Sequence, residues 1–137
     1  MPPKPSNTLT PAELRLMKVL WRRGESSVSD MVAATAGEGQ LAYTSVLTIV
    51  RILESKGFAT HRQEGRAFLY SAAVAEDDAS RSEVRHVLQR FFGNSREKLL
   101  LALLGDEDIT PEEVRRLKVA IAQMPNDGPA DPEGAQG

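Results

Sequence analysis

The chain of 137 residues contains no cysteine, which excludes disulfide bonds, thiolate metal sites and cysteine nucleophiles. It also lacks a long hydrophobic run, because the richest one, residues 99–104, is too short to cross a bilayer. Near the start, no apolar segment follows the lysine, so the chain does not resemble a signal peptide. Aromatic residues make up 5% of the sequence, so the core is expected to be mostly aliphatic. These absences favour a cytoplasmic protein without a membrane partner.

Residues that commonly carry catalysis or bind metal are scarce as well. The two histidines, His61 and His86, belong to different predicted elements, so they form neither a metal pair nor a nucleophile–base couple. The acidic stretch at 105–113 is typical of a surface loop followed by a helix start. No glycine-rich phosphate loop occurs. We therefore expect no enzymatic activity, no cofactor and no metal.

Charge is distributed unevenly along the chain, although the formal net charge is −2. Residues 1–72 hold nine Lys and Arg against six Asp and Glu, whereas residues 73–137 hold eight against thirteen. The first half, at +3, is the one that can face phosphate, and the second half, at −5, would be repelled by it.

Two helix starts are predicted near the beginning of the chain. Thr10 and Glu13 form a capping box, with proline at the first helical position, and the helix should end at residue 23, before a glycine. Ser27 and Asp30 predict the start of a short second helix through about residue 36. Residues 26–28, before that helix, can form no more than a turn or a single bridge.

The third helix, predicted over residues 42–56, is the central element of this half. An apolar stripe recurs at helical spacing: Val46, Ile49, Val50 and Leu53. A second line of the same helix carries Thr44, Thr48, Arg51 and Ser55. Short hydroxyls near the helix start, with a cation one turn on, suit a helix that lies in a DNA groove. An ordinary amphipathic helix with a solvated face would show the same spacing.

Two short runs, residues 58–63 and 66–72, follow the third helix and predict a hairpin with a turn at Glu64 and Gly65. Three aromatic side chains are expected to turn towards the helices: Phe58, Phe68 and Tyr70. The polar and basic side chains expected near the tip are His61, Arg62, Gln63 and Arg66.

Helical patterns resume at residue 76 and continue to residue 124. Ser80 with Glu83, Asn94, and Thr110 with Glu113 are predicted to start helices there. Each helix carries an apolar stripe that needs a partner surface, and a second copy of the chain is the expected partner. The alternative is that these helices pack back onto the first half. The residues predicted to form the dimer are Val84, Val87, Leu88, Phe91, Leu100, Leu103, Leu104, Leu117 and Ile121.

The predicted fold is mostly α, with a winged helix-turn-helix domain at 8–74 and a C-terminal helical dimerisation region at 75–124. Residues 1–7 and 125–137 are expected to be disordered tails. Such a fold binds double-stranded DNA or, as the alternative, serves as a protein interaction module without DNA. The basic hairpin tip favours DNA, because a wing that binds protein does not require it.

Four segments resemble the BlaI/MecI penicillinase-repressor family of bacteria. They are MKVLW at 17–21, TSVLTIVRILESKGF at 44–58, GRAFLYS at 65–71 and FFGNS at 91–95. The similarity spans about residues 8–124. It implies a homodimeric winged-helix repressor that covers a palindromic operator and blocks transcription. By position it implies base contacts from Tyr43, Thr44, Ser45 and Thr48, and phosphate contacts from Arg51, Lys56, Arg62 and Arg66.

The chain also departs from this family. In antibiotic-responsive members a regulatory protease cuts an Asn-Phe bond, and the corresponding pair here is Ala102 and Leu103. A protease partner is therefore implied by the resemblance but not by these residues. The copper-responsive branch has a C-terminal cysteine motif, which is absent here. The operator, the regulated genes and the inducing signal do not follow from the sequence.

Overall fold

The computed structural model describes residues 8–125, so the predicted tails lie outside the described residues except for residue 125. The elements in chain order are α1 (Pro11–Arg23), α2 (Val28–Ala34), a short 3-10 helix (Ala36–Glu38), α3 (Tyr43–Lys56), β1 (Ala59–Glu64), β2 (Ala67–Ala72), α4 (Glu76–Phe92), α5 (Arg96–Leu104) and α6 (Pro111–Ala122). Three helices followed by an antiparallel hairpin and further helices confirm the predicted, mostly α, winged-helix architecture.

The chain forms two compact units that divide between Asn94 and Ser95. The first unit contains the three N-terminal helices, the hairpin and α4, and the second contains α5 and α6. The assignment of residues 75–124 to dimerisation stays a prediction. Between residues 8 and 125, every helix is too short or too polar to cross a membrane.

The first two helices begin at reciprocal capping boxes, as predicted. The hydroxyl of Thr10 accepts a hydrogen bond from the Glu13 amide at 3.1 Å, and the Glu13 carboxylate accepts one from the Thr10 amide at 2.9 Å. Ser27 and Asp30 form the same pair, both at 3.0 Å. Hydrogen bonds from the amide and hydroxyl of Ser27 lower the pKa of Asp30, because they stabilise the ionised carboxylate.

The core of the first unit is mostly aliphatic, as the low aromatic content predicts. Its buried residues are Leu16, Met17, Leu20, Val28, Met31, Val46, Val50, Leu53, Phe58, Ala59, Tyr70 and Ala79. Trp21 packs against this core, and its indole N–H donates to the carbonyl of Val74 at 2.9 Å. The stripe of α3 therefore faces the core through Val46, Val50 and Leu53, which are fully buried.

One prediction about side-chain orientation is wrong. Phe68 does not turn into the core but is 42% exposed, because it lies two residues nearer the hairpin turn than Tyr70, and its ring contacts His61 instead. Leu14 is also exposed, and Leu16 takes the buried position on α1. The predicted bridge before α2 is confirmed, since Ser26 pairs with Tyr70.

Several predicted boundaries differ from the structure. The second helix ends at Ala34 rather than near residue 36, and the strands place the hairpin turn at Gly65 and Arg66. Ser80 lies inside α4 and donates to the carbonyl of Asp77, so it caps no helix. Ser95, not Asn94, caps α5. Asn94 instead adopts a left-handed conformation with φ 67°, which asparagine tolerates better than most residues.

Glu13 also joins the start of α1 to the end of α3. Its carboxylate lies 2.8 Å from the ammonium of Lys56, and the Glu13 residue is 5% exposed. Replacing Glu13 by alanine is expected to lower the free energy of unfolding by about 2 kcal/mol, because two hydrogen-bond donors lose their acceptor. Glu13→Gln keeps an acceptor for the Thr10 amide and should cost less. Urea unfolding at neutral pH measures both, and equal losses would contradict this combined role.

Candidate nucleic-acid interface

One face of α3 is exposed over its whole length, and its side chains are polar except for Ile52. The exposed residues of this helix are Tyr43, Thr44, Ser45, Thr48, Arg51, Ile52 and Ser55. Burial of the opposite stripe fixes the rotation of the helix, so these side chains point away from the core. Ile52, which is 42% exposed, was missed by the sequence interpretation although it lies one turn after Thr48. An exposed β-branched side chain on this face can make apolar contact with a thymine methyl group.

The start of α3 carries no compensating negative charge. Its cap residue, Ala42, has no side chain that can accept a hydrogen bond, and the first turn contains no acidic residue. The first backbone amides of an α-helix have no acceptor within the helix, and they carry the positive end of its dipole. The exposed hydroxyls of Thr44 and Ser45 lie in the same turn. This end of α3 is therefore suited to an anionic partner.

Thr35 and Arg15 hold the loop that precedes α3. The hydroxyl of Thr35, a residue that is 4% exposed, accepts from the amide of Leu41 at 3.0 Å and donates to the carbonyl of Val32 at 2.8 Å. The guanidinium of Arg15 donates to the carbonyls of Thr35 and Gly39 at 3.3 and 3.0 Å. These contacts tie the loop to α1 and α2, so the position at which α3 begins is determined by the core.

The hairpin packs beside α3 through His61 and Tyr70. The Nδ1 atom of His61 lies 2.8 Å from the carboxylate of Glu54, and its ring centroid lies 5.2 Å from that of Tyr70. Burial raises the pKa of the Tyr70 phenol and the nearby charge of Glu54 adds to this effect, whereas Arg51 opposes it. Tyr70 therefore joins the wing to the exposed end of the α3 face at Arg51.

The predicted phosphate-binding cations fall into two groups. Arg51 on α3 and Arg66 in the hairpin turn are exposed. Arg62 instead forms a double hydrogen bond with Glu25, at 2.7 and 2.8 Å, and a third bond of 3.2 Å with Glu64. The hydrogen bond from Arg62 lowers the pKa of Glu25, and the same contact raises the pKa of Arg62. Arg62 is thus not a free cation at the tip.

Lys56 belongs to the second group. Its ammonium donates to the Glu13 carboxylate at 2.8 Å and to the carbonyl of Thr8 at 3.0 Å. The family resemblance implied by position that Lys56 contacts the DNA backbone. In the fold the last turn of α3 lies beside the start of α1, and these two contacts hold the Lys56 ammonium against it.

The residues predicted to form a dimer differ in exposure. Leu88 is buried within the chain and Val87 is half-buried, so neither offers a large free surface. The predicted residues that are exposed on α4, α5 and α6 are Val84, Phe91, Leu100, Leu103, Leu104, Leu117 and Ile121. Ala102, at the position expected for proteolysis, is exposed within α5.

The family model described as penicillinase repressor matches residues 9–123. The chain belongs to the penicillinase repressor family. This confirms the resemblance predicted from the sequence.

Two relatives and one solved structure are similar to this chain. The penicillinase repressor of Bacillus licheniformis is 24% identical over 118 residues, covering 86% of this chain and 92% of that protein. The methicillin resistance regulatory protein MecI of Staphylococcus aureus strain N315 is 19% identical over 110 residues, covering 80% and 89%. The solution structure of the DNA-binding domain of the repressor BlaI shows 27% identity with a TM-score of 0.49, and the alignment covers 57% of this chain and 93% of that one.

The hydroxyl of Thr35 provides a test of how this family member positions α3. Thr35→Val keeps the shape of the side chain but leaves the Leu41 amide without its acceptor, so we expect a loss of about 1–2 kcal/mol in the free energy of unfolding. Thr35→Ser keeps the hydroxyl and serves as the control. Urea unfolding and hydrogen exchange at the Leu41 amide measure the effect. If the serine variant loses as much as the valine variant, the hydroxyl does not hold the loop.

Proposed function

We propose that this chain is a sequence-specific, DNA-binding transcriptional repressor that acts as a homodimer on a palindromic operator. The observation that carries the proposal is the exposed polar face of α3, whose uncapped and acid-free start lies in the same unit as an exposed cation in the hairpin turn. Membership in a family named for repression, together with relatives named as a repressor and a regulatory protein, supports it.

The first half of α3 reads the bases. In winged-helix proteins the recognition helix enters the major groove, and its N-terminal residues contact base edges. Tyr43, Thr44, Ser45 and Thr48 supply hydroxyl groups that donate and accept hydrogen bonds, as the major groove requires. The positive end of the helix dipole favours this orientation, because phosphates flank the groove on both sides.

Phosphate contacts come from Arg51 and Arg66. Arg51 lies one turn beyond Thr48, where the helix leaves the bases, and Arg66 occupies the hairpin turn. Since Lys56 and Arg62 are paired with carboxylates, the direct phosphate contacts predicted for them are not part of this proposal. Two arginines per protomer make the binding dependent on salt, but less steeply than four cations would.

Dimerisation depends on the exposed apolar residues of the C-terminal helices. Phe91 is 67% exposed, and Leu103 and Ile121 are each 56% exposed. Large apolar side chains exposed at several positions on consecutive helices are typical of a surface that a partner covers. A two-fold dimer would place two α3 helices at a fixed separation, which matches the two halves of a palindrome.

Binding to DNA from upstream of the gene, compared with random duplex DNA, tests the proposal directly. Arg66→Ala should weaken binding to every sequence and reduce the slope of log K against log salt by about one per protomer. Thr48→Ala should instead reduce discrimination between operator and mutated operators by about 1 kcal/mol, because it removes a hydrogen-bonding group at a base edge. Fluorescence anisotropy over a salt series measures both quantities.

Arg85→Ala is the control. It removes an exposed cation of α4, outside the proposed DNA-binding face, and should change neither the salt slope nor the discrimination between operators. A wild-type protein that binds operator and random DNA equally at moderate salt would overturn the proposal. Recovery of a stoichiometric protein partner with no shift of promoter DNA would favour an interaction module instead.

The proposed dimerisation can be tested by substitutions on α6. Ile121→Glu should convert the protein to a monomer, because a buried unpaired carboxylate in the interface is strongly unfavourable. Val119→Glu is a matched control, since Val119 is 51% exposed and lies about 200° around the helix from the predicted stripe residue Leu117. Sedimentation velocity distinguishes the two states. A monomeric wild-type protein, or equal dissociation of both variants, would contradict the assignment of the interface.

A further inference from the structure

The two faces of the hairpin are held by different partners. In the antiparallel register of β1 and β2, His61 is opposite Tyr70 and Arg62 is opposite Leu69. Because side chains alternate between the two faces along each strand, these two pairs lie on opposite faces of the hairpin. The face with His61 and Tyr70 packs against α3 through Glu54. The other face carries Arg62, whose guanidinium bonds to Glu25 and Glu64 and not to a residue of α3.

The contact between Arg62 and Glu25 extends across the whole width of β2. Ser26, in the loop between α1 and α2, pairs with Tyr70 on the edge of β2 opposite to β1. Glu25 precedes Ser26, so the side chains of Arg62 and Glu25 together bridge backbones that lie about two strand spacings, or about 10 Å, apart. They do so with two hydrogen bonds, from Nε to Oε2 at 2.7 Å and from Nη2 to Oε1 at 2.8 Å.

The geometry points to Arg62 as a positioning residue for DNA binding. We propose that its double hydrogen bond to Glu25 fixes the hairpin on the α1–α2 loop, so that Arg66, and not Arg62, contacts the phosphate. This inference rests on the proposed function, because it deepens the role of the wing in that interface.

Local charge supports a positioning role over a direct contact. Arg62 lies within 3.2 Å of two carboxylates, Glu25 and Glu64, so the three side chains together carry a net charge of −1. A phosphate that approached Arg62 would meet these carboxylates as well, and like charges at short distance repel. Arg66 lies outside this cluster, and the structure pairs it with no acidic side chain among residues 8–125.

The form of the contact also fits a positioning role. Exposed ion pairs usually contribute little, but two parallel hydrogen bonds between guanidinium and carboxylate restrict orientation as well as distance. An isolated two-stranded hairpin is marginally stable, so such a restraint matters for the residue at its turn. The lowered pKa of Glu25 agrees with a carboxylate that is stabilised in its ionised form by Arg62.

The decisive variant is Glu25→Gln. It makes the protein one unit more positive, so electrostatics alone predicts tighter binding to DNA. If Arg62 positions the wing, Glu25→Gln should instead weaken operator binding by up to about fivefold, the upper end of what one exposed ion pair contributes. Glu64→Gln is the matched control, because it changes charge equally in the same cluster but leaves the double hydrogen bond intact. It should not weaken binding.

Salt dependence separates the two roles of Arg62. Arg62→Ala should weaken binding about as much as Glu25→Gln, with an unchanged salt slope, and the double variant should be no weaker than either single one. A slope reduced by about one per protomer in Arg62→Ala, or tighter binding by Glu25→Gln, would overturn the inference.

Hydrogen exchange in the DNA-free protein gives a second readout. Both Glu25→Gln and Arg62→Ala should accelerate exchange at the hairpin amides, whereas Glu64→Gln should not. If the wild-type protein bound no operator while these amides responded as expected, the proposed function would fail and the restraint on the hairpin would stand. If the wild-type protein bound its operator and the amides did not respond, the positioning role alone would fail.

Discussion

Two backbone hydrogen bonds between Ser26 and Tyr70 join the hairpin to the loop that links α1 and α2. They make Ser26 a one-residue third strand, so the hairpin, which would be marginal alone, is anchored to the helical core. Tyr70 is 2% exposed and lies beside Arg51 and Glu54 of α3. The separation between α3 and the turn that carries Arg66 therefore depends first on this buried residue pair, to which the contacts of His61 and Arg62 are added.

The helix termini differ in a way that follows the proposed function. Helices α1, α2, α5 and α6 begin at a threonine or serine whose hydroxyl accepts a backbone hydrogen bond, and α4 begins with three acidic residues. Helix α3 has neither feature. A cap typically contributes about 1 kcal/mol, so its absence leaves the fold less stable than it could be. Water or an anionic ligand must satisfy those amides, and the exposed hydroxyls of the same turn point to nucleic acid as that ligand.

Local signals made most of the fold predictable. The capping boxes, the glycine that ends α1 and the apolar stripe of α3 each depend on residues a few positions apart, and all three are confirmed. The partners of Arg62 and Lys56 were not predictable in this way, because Glu25 and Glu13 lie 37 and 43 residues away in sequence. The predicted burial of Phe68 was wrong for a related reason. Alternation gives the face of the strand on which a side chain lies, but not how far the opposing helices extend over that face.

These long-range pairs change the meaning of the charge pattern. In the first half of the chain the structure pairs Lys18, Arg23, Lys56 and Arg62 with acidic residues, so the excess of nine cations over six acids does not describe the proposed interface. Arg22, Arg51 and Arg66 remain exposed, and of these Arg51 and Arg66 lie on α3 and in the hairpin turn. With two phosphate contacts, one protomer would bind a half-site weakly, because phosphate neutralisation supplies much of the affinity for DNA. Joining two protomers makes the second half-site contact intramolecular, at a high effective concentration. Under the proposed function, the exposed apolar residues of the C-terminal helices and the sparse charge around α3 would thus belong together, since a DNA-binding surface with few cations binds tightly only when a dimer joins two of them.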